Sequence, residues 1–535
     1  MRLSSIALAV VVVAVALTGC APAEDPAPAV VTRPDVPSIL PTVTVDLPQP
    51  DGPNPYTDGI KIATFLGNET RRYYGEGPVP ETLKLIWKTP IGSGSTGGTA
   101  SSAGMVTWAG TGWTGQPALV RDGGKLYLIV GGFDHNLVKL DAETGKELWA
   151  YTFDDVIKGS PTVFRMPDTG RLAVVCGSRR GFPRAMGDAS IAPIRCVDFE
   201  TGEELWRMTS PTSKSYSRDA DSSPIMIGDT LFLAMETGYF YAVDPTTTEE
   251  RGGHKWPVVK AQQLLLGSNA SGHGGNLVLE SSPSVIGETI YISSGAGDVY
   301  GLSMADMSVV WDYWIGSDLD GSPVTTEDGY ILQAVEKQYI SANGGVLKLD
   351  PRKPPAEATV WYFPTDNRTF ADWQGGVIGS VCVNDEYGSG LARPALAAFT
   401  AIDGNLYVIS QDEVDGTATS PQGGTVPKPK LVFKENVGGA ISTPIMVDDY
   451  IIQAGYGAAV NVYKIDYRAE GGVPLTDRSG GQWTVGVTKV ASFAAGSFES
   501  TPIVWQGRIY VGSRDGNFYC IGDPAYQPVT MPEVP

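Results

Sequence analysis

Histidine and cysteine are scarce in this chain. Three histidines, His135, His254 and His273, and five cysteines are spread over 535 residues. No histidine sits in a His-Glu-x-x-His or Gly-x-Ser-x-Gly setting, and no two cysteines form Cys-x-x-Cys. That removes the grounds for a zincin, a nucleophile-elbow hydrolase, a zinc ribbon or a covalently attached haem. Glycosidase carboxylates stay open, because their pairing is spatial. Positive charge is short as well: 39 Lys and Arg against 59 Asp and Glu give a net charge of −20. Such a balance excludes nucleic acid and direct binding to anionic lipid as partners. Past the first 20 residues, no apolar run is long enough to cross a bilayer.

The N-terminal segment has its own logic. Arg2 gives a thin positive region, residues 6–17 an apolar one, and Leu17-Thr18-Gly19-Cys20 closes it. This ending resembles the bacterial lipobox, which implies a signal peptide over 1–19 and a lipid-modified Cys20. Residues 21–56, rich in Pro, Ala, Val and Thr without hydrophobic period, read as a tether, so 20–82 comprise Cys20, tether and lead-in. The expected location is the bacterial cell envelope, outside the cytoplasm, with lipid as the sole membrane attachment. Inner and outer membrane stay undecided.

A short phrase then recurs. First-strand openings fall at Gln116-Pro117, Ser160-Pro161, Ser223-Pro224, Ser282-Pro283, Ser322-Pro323, Thr443-Pro444 and Thr501-Pro502, with Gly379-Ser380-Val381 as an eighth lacking Pro. Proline at the head of a strand lacks a donor where the ladder needs none. Third strands read Gly238-Tyr-Phe-Tyr-Ala-Val-Asp244 or Gly516-Asn-Phe-Tyr-Cys-Ile-Gly522. Two blades end in Leu140-Asp-Ala-Glu-Thr-Gly-Lys-Glu-Leu-Trp149 and Val197-Asp-Phe-Glu-Thr-Gly-Glu-Glu-Leu-Trp206. In these, Asp caps the turn, Gly takes a left-handed position and Trp anchors the outer strand on the next blade. Trp256, Trp311 and Trp361 continue the series, Phe433 substitutes in the sixth blade, and Trp483 or the 490–493 stretch supplies the seventh.

Each unit has four short strands and too few apolar residues to stand alone, so neighbours must stack. The last unit runs out of chain before its fourth strand, while Leu83-Lys-Leu-Ile-Trp-Lys88 has that signature with no blade before it. The expected fold is all-β: a single eight-bladed β-propeller over 83–522, closed by strands from both ends, with a tail over 523–535. Cys176 and Cys196 lie on consecutive strands of one blade and form a candidate disulfide. Alignment with the last-blade hairpin puts them on opposite faces, unless the insertion between them shifts the register.

The phrases at Asp141–Trp149 and Asp198–Trp206 resemble the pyrroloquinoline quinone (PQQ)-like repeat, Ala-x-Asp-x-x-Thr-Gly-x-x-x-Trp. The resemblance implies one of two kinds of protein. One is the quinoprotein dehydrogenase, with PQQ and calcium over the channel mouth. The other is the cofactor-free lipoprotein propeller, such as the B component of the outer-membrane β-barrel assembly machine. Quinoproteins of this kind would be expected to carry adjacent cysteines over the quinone, and no two cysteines here are adjacent.

Stacking the repeats exposes one slot. The residue three before each opening Pro, or before Val381, is in order Thr114, Lys158, Asp221, Glu280, Asp320, Ile378, Ile441 and Glu499. Four of these eight are acidic, where the content of 59 in 535 would place about one. First strands line the channel, so Asp221, Glu280, Asp320 and Glu499, with Lys158, are candidates to hold a cation or polar ligand at its mouth. Long insertions at 88–115, 177–193, 207–221, 257–280 and 362–379 fall on that face, and others at 384–394, 411–429 and 467–481 on the opposite one. Trp113 belongs to the first group, and His273 reads as a solvent-loop residue. The function expected is a binding or scaffold propeller for an envelope protein or small ligand, without catalytic residues or cofactor. The alternative is a PQQ-dependent oxidoreductase.

Overall fold

The computed structural model describes residues 59–526, apart from 99–103, 268, 371–372 and 389–392. The signal peptide, Cys20, the tether and the tail beyond 526 lie outside the described residues. Eight antiparallel blades follow one another along the chain, each built outward from a short inner strand. The lead-in adds Ile60–Ile62 inside blade 1 and, in parallel, Gly75–Glu76 inside blade 8. Inner strands run Ala118–Asp122, Thr162–Arg165, Ile225–Ile227, Ser284–Ile286, Val324–Thr325, Cys382–Val383, Ile445–Val447 and Ile503–Trp505 for blades 1 to 8. The ring closes as the repeat demands. Lys84–Pro90 pairs antiparallel with Asn517–Gly522 and gives blade 8 its outer strand. Among the described residues no helix is long and apolar enough to cross a membrane.

The Thr-Gly turns explain how blades hold one another. Asp141 Oδ1 accepts the amides of Glu143 and Thr144, and Asp198 Oδ1 those of Glu200 and Thr201. Gly145 and Gly202 then take φ of 70° and 73°. A Cβ there would lie 2.5 Å from Trp87 and 2.9 Å from Trp149, the outer-strand tryptophans of the preceding blades. Each indole donates onward across the junction. Trp87 reaches Ala142 O at 3.2 Å, Trp149 Phe199 O at 2.9 Å and Trp206 Pro245 O at 3.0 Å. Trp311 and Trp361 do the same to Lys353 O and Gln411 O at 3.0 and 2.8 Å.

One anchor is not where the aromatic series suggests, and a second settles on one of its two expected positions. In blade 3 the anchor register, just past the outer-strand bulge, belongs to Ala261, opposite Ala242. Trp256 instead lies far out on a hairpin arm and donates to Arg251 O within that arm. Blade 4 compensates. Met307 stands at the turn position of Gly145, with φ 62° and its side chain buried in the same cluster as Ala261. Side-chain volume has moved from one partner to the other. In blade 7 the register falls on Ala491, within the 490–493 stretch, and Trp483 lies on an extension. The candidate disulfide is also corrected. Cys176 and Cys196 are free, and they fill the cores on opposite faces of their sheet, because register pairs Cys196 with Val175.

The axis is built from two devices. At each opening, the Ser or Thr hydroxyl accepts the backbone N–H of the corresponding residue one blade back. Ser160 Oγ takes Gln116 N at 2.7 Å, Ser223 takes Ser160 at 3.0 Å, Ser282 takes Ser223 at 2.9 Å and Ser322 takes Ser282 at 2.8 Å. Ser380, Thr443 and Thr501 carry the series on at 2.9, 2.9 and 3.3 Å. Thr501 N closes it on Gly115 O at 3.1 Å.

Below this ring the lead-in enters from the face of the inner-strand turns, rises to Phe65 and Leu66, and descends again. It bonds to all eight blades. Partners include Leu66 N to Gln116 Oε1, Val163 N to Ala63 O, Thr64 Oγ1 to Pro224 O and Arg71 Nε to Pro283 O. Thr325 N, Val383 N and Val504 N reach Thr70 O, Tyr74 Oη and Tyr74 O. In blade 7, Tyr450 Oη and Lys464 Nζ donate to Glu81 Oε1, and Gly77 packs so tightly on Asp448 that a Cβ would overlap its carboxylate. Residues 384–387 of the insertion cover this plug from below, with Glu386 paired to Arg72 and Tyr387 Oη accepting Tyr74 N.

Both devices predict measurable costs. Ser282→Ala leaves the buried Ser223 amide without its acceptor and should destabilise by about 1–3 kcal/mol in chemical denaturation. Arg71 is fully buried, and its guanidinium also bonds Ser223 O and Phe65 O. Arg71→Ala should cost about 3 kcal/mol, while removal of residues 21–56 should leave the unfolding midpoint unchanged.

Candidate functional site

Above the plug lies a small chamber of about 20 Å³, lined by Phe65, Trp113, Asp221, Glu280, Asp320 and Ile378 among others. Inner strands begin here, so the slot three residues before each Pro does face the axis. The structure brings together Asp221, Glu280, Asp320 and Lys158. The buried Lys158 ammonium pairs with Asp221 and with Glu280 at 2.6 Å, and lies 4.2 Å above the Trp113 ring. Trp113 Nε1 donates to the same Glu280 oxygen at 3.1 Å. Glu499 is not part of this group. It pairs with Arg514 at 2.7 Å and accepts Tyr456 Oη at 3.1 Å. In an eight-membered ring blade 8 faces blade 4, so Glu499 is set across the axis from the other acids.

Three further carboxylates join the cluster that the slot alone does not reveal. Glu236 and Glu336 follow the second strands of blades 3 and 5, and Asp318 lies two residues before Asp320. One oxygen each from Asp221, Glu236 and Glu280 lie within 4.8 Å of one another, and so do those from Asp318, Asp320 and Glu336. Second strands end on the mouth face, so this position was legible in the repeat, but only two blades place an acid there. The other half of the mouth is apolar. Ile378 and Ile441 hold the slots of blades 6 and 7 and pack with Trp113, Phe370, Trp373 and Tyr456. Trp113 and Trp373 meet at 5.8 Å. His273 is not a solvent residue: it is buried, stacked on Tyr339 at 4.0 Å, with Nδ1 bonded to Gly295 O.

Six acids share one lysine here, and their ionisation separates accordingly. Burial opposes charge on Glu280, yet the Lys158 ammonium holds its carboxyl down to about 2. Burial pushes Asp221 up to about 6 against the same lysine. Burial and the Glu280 charge push Asp318 up to about 7. Glu236, Asp320 and Glu336 are raised well above the carboxylate range by burial and then by a neighbouring carboxylate, Asp221, Glu280 and Asp318 respectively.

The quinone that the repeat family implies can be tested against this geometry. PQQ is a tricarboxylate, and the mouth already holds more carboxylates than cations. A cofactor-sized pocket is about 300–1,000 Å³, whereas the chamber is about 20 Å³. The four cysteines among the described residues are all buried in blade cores, none at the mouth. These residues do not fit the quinone.

Eight blades in a closed ring, five of them locked by outer-strand tryptophans and two carrying the Asp-x-x-Thr-Gly turn, define a PQQ-like β-propeller. The family model described as outer membrane protein assembly factor BamB matches residues 84–257 and 192–521, and the chain belongs to this family. A quinohemoprotein alcohol dehydrogenase of Comamonas testosteroni is 38% identical over 87 residues, 16% of this chain. That match spans only 11% of the dehydrogenase. Among solved structures, BamB from Moraxella catarrhalis aligns with a TM-score of 0.48 and 13% identity, covering 83% of this chain and 100% of that one. A europium-containing methanol dehydrogenase aligns with a TM-score of 0.48 and 12% identity, over 85% and 90% of the two chains.

The raised acids give a pH prediction. Asp221 and Asp318 keep their protons to about 6 and 7 in the folded chain, against 3.8 when unfolded. Between those values the folded state binds more protons, so stability falls as pH rises through this window. In chelator, the unfolding temperature should be higher at about pH 5.5 than at about pH 7.5. Asp318→Asn should reduce that difference.

Proposed function

We propose that this chain is a binding propeller of the bacterial cell envelope, tethered by lipid at Cys20, that presents its mouth face to a protein partner. The observation that carries this reading is the plugged axis. With residues 59–78 filling the lower channel, the remaining chamber of about 20 Å³ leaves no room for an organic cofactor, and function falls to the surface. The lead-in also enters on the face opposite the mouth, so the mouth is the outward face as seen from it. The half-exposed Tyr216 and Tyr339 stand on that outward face. Membership in a family named for an outer-membrane assembly factor supports a protein partner over a small substrate.

Photo-crosslinking in cells is the direct test. A crosslinker at Tyr339 should capture an envelope protein, while one at Val414, exposed on an outer arm, should not. Capture from both sites or from neither would contradict a mouth-directed partner. Labelling with a palmitate analogue should mark wild type and miss Cys20→Ser. Purified protein given PQQ and calcium should show neither a bound-quinone spectrum nor dye reduction with alcohols or sugars. Reduction of the dye would restore the oxidoreductase.

A further inference from the structure

Blades 3 and 5 carry the same three acids at the same three repeat positions. Asp219, Asp221 and Glu236 in blade 3 correspond to Asp318, Asp320 and Glu336 in blade 5. The backbone repeats with them: Glu236 N donates to Asp219 O at 3.1 Å, and Glu336 N to Asp318 O at 3.4 Å. What differs is the preceding blade. Blade 2 offers two cations to blade 3, with Arg179 bonding Asp219 at 2.7 Å and Lys158 pairing with Asp221. At the corresponding places blade 4 offers Glu280, in the slot of Lys158, and Gly295, after the second strand as Arg179 is. Among the described residues, no lysine, arginine or histidine forms an ion pair with Asp318, Asp320 or Glu336.

The blade 5 acids are nonetheless deeply enclosed. Glu336 is 3% exposed, and its Oε1 has no hydrogen-bond partner. Asp318 Oδ1 is likewise without one, while its other oxygen accepts the Asn276 amide. Burying unpaired carboxylates together is costly unless something answers their charge. In blade 3 the protein supplies cations to Asp219 and Asp221 and leaves only Glu236 without one, and in blade 5 it supplies none. We infer that Asp318, Asp320 and Glu336 form a divalent-cation site, in which a metal ion takes the place that Lys158 and Arg179 hold one repeat-pair earlier.

The chemistry of the donors selects the ion. Only carboxylate oxygens are offered, which suits hard cations, and calcium binds such oxygens at about 2.3–2.6 Å. Two ligands on opposite sides of that ion would be separated by no more than about 5 Å, which matches oxygens lying within 4.8 Å of one another. The adjoining chamber of about 20 Å³ has room for an ion-bound water. An organic amine would not fit. This inference is independent of the protein-partner reading, since a metal at the mouth requires no partner.

Calorimetric titration of calcium into the chelator-treated full chain is the test, read alongside terbium luminescence sensitised by the nearby Tyr216 and Tyr339. Wild type should bind one ion, with a Kd on the order of 0.1 mM or tighter, and should unfold at a higher temperature once calcium is added. Glu336→Gln and Asp320→Asn should each weaken binding at least tenfold and lose the luminescence. Both should fold, because the amide keeps the shape and removes like-charge repulsion, and the unfolding midpoint without calcium checks this. Glu499→Gln, across the axis, should bind as wild type does. Absence of heat and luminescence in wild type would overturn the site. So would isotherms unchanged by Glu336→Gln, which would place calcium elsewhere on the acidic surface.

Discussion

The inner edges of eight blades meet at one axis, and the backbone groups on those edges have no neighbouring strand to bond. A buried amide without a partner costs as much as a lost hydrogen bond, and here the problem repeats eight times around a circle. The protein solves it twice. Near the mouth, hydroxyls of Ser160, Ser223, Ser282, Ser322, Ser380, Thr443 and Thr501 each accept an amide from the blade before. Lower down, the lead-in around Thr64, Arg71 and Tyr74 serves as a shared partner for blades that cannot reach one another. The Pro that follows most of the hydroxyls has no amide to satisfy, which is why Ser-Pro and Thr-Pro recur at these openings.

Function follows from which space this leaves. Once the lower channel is filled, the mouth becomes a shallow, enclosed floor, and its charge is set by the residues three before each Pro. Blades 3 to 5 place acids there and blades 6 and 7 place isoleucines, so the floor is split into an ionic half and an apolar half. Lys158, over the Trp113 ring, settles one end of the ionic half. The other end has no such residue. The same plug leaves a mouth whose size and charge both oppose a quinone.

The architecture was open to reading because it repeats. Strand openings, the Thr-Gly turns and the orphan strand at 83–88 each recur, or lack a partner, in a way that fixes the ring. Asp221, Glu280 and Asp320 stood out in the repeat for the same reason. Glu499 stood out with them although it lies apart, since a linear repeat does not show that blade 8 faces blade 4. Trp256 misled because aromatic identity was followed where register was decisive, and the exchange of Trp and Gly for Ala261 and Met307 erases the signature while keeping the packing. The lead-in was invisible for the opposite reason: each of its residues meets a different blade, so it has no period. Glu236, Asp318 and Glu336 lie at repeat positions that are acidic in too few blades to stand out.

The central claim is that the hydroxyl ring and the lead-in satisfy the axial amides as one cooperative unit. Native-state hydrogen exchange, resolved to single residues, tests this directly. The amides of Ser223, Ser282 and Ser322 in the ring, and of Leu66, Val163 and Val504 along the lead-in, should exchange only through global unfolding, with one common protection. Fast exchange at Leu66, Val163 and Val504 beside a protected ring would show that the lead-in is not seated in the channel, and would contradict the plugged axis on which the functional reading rests.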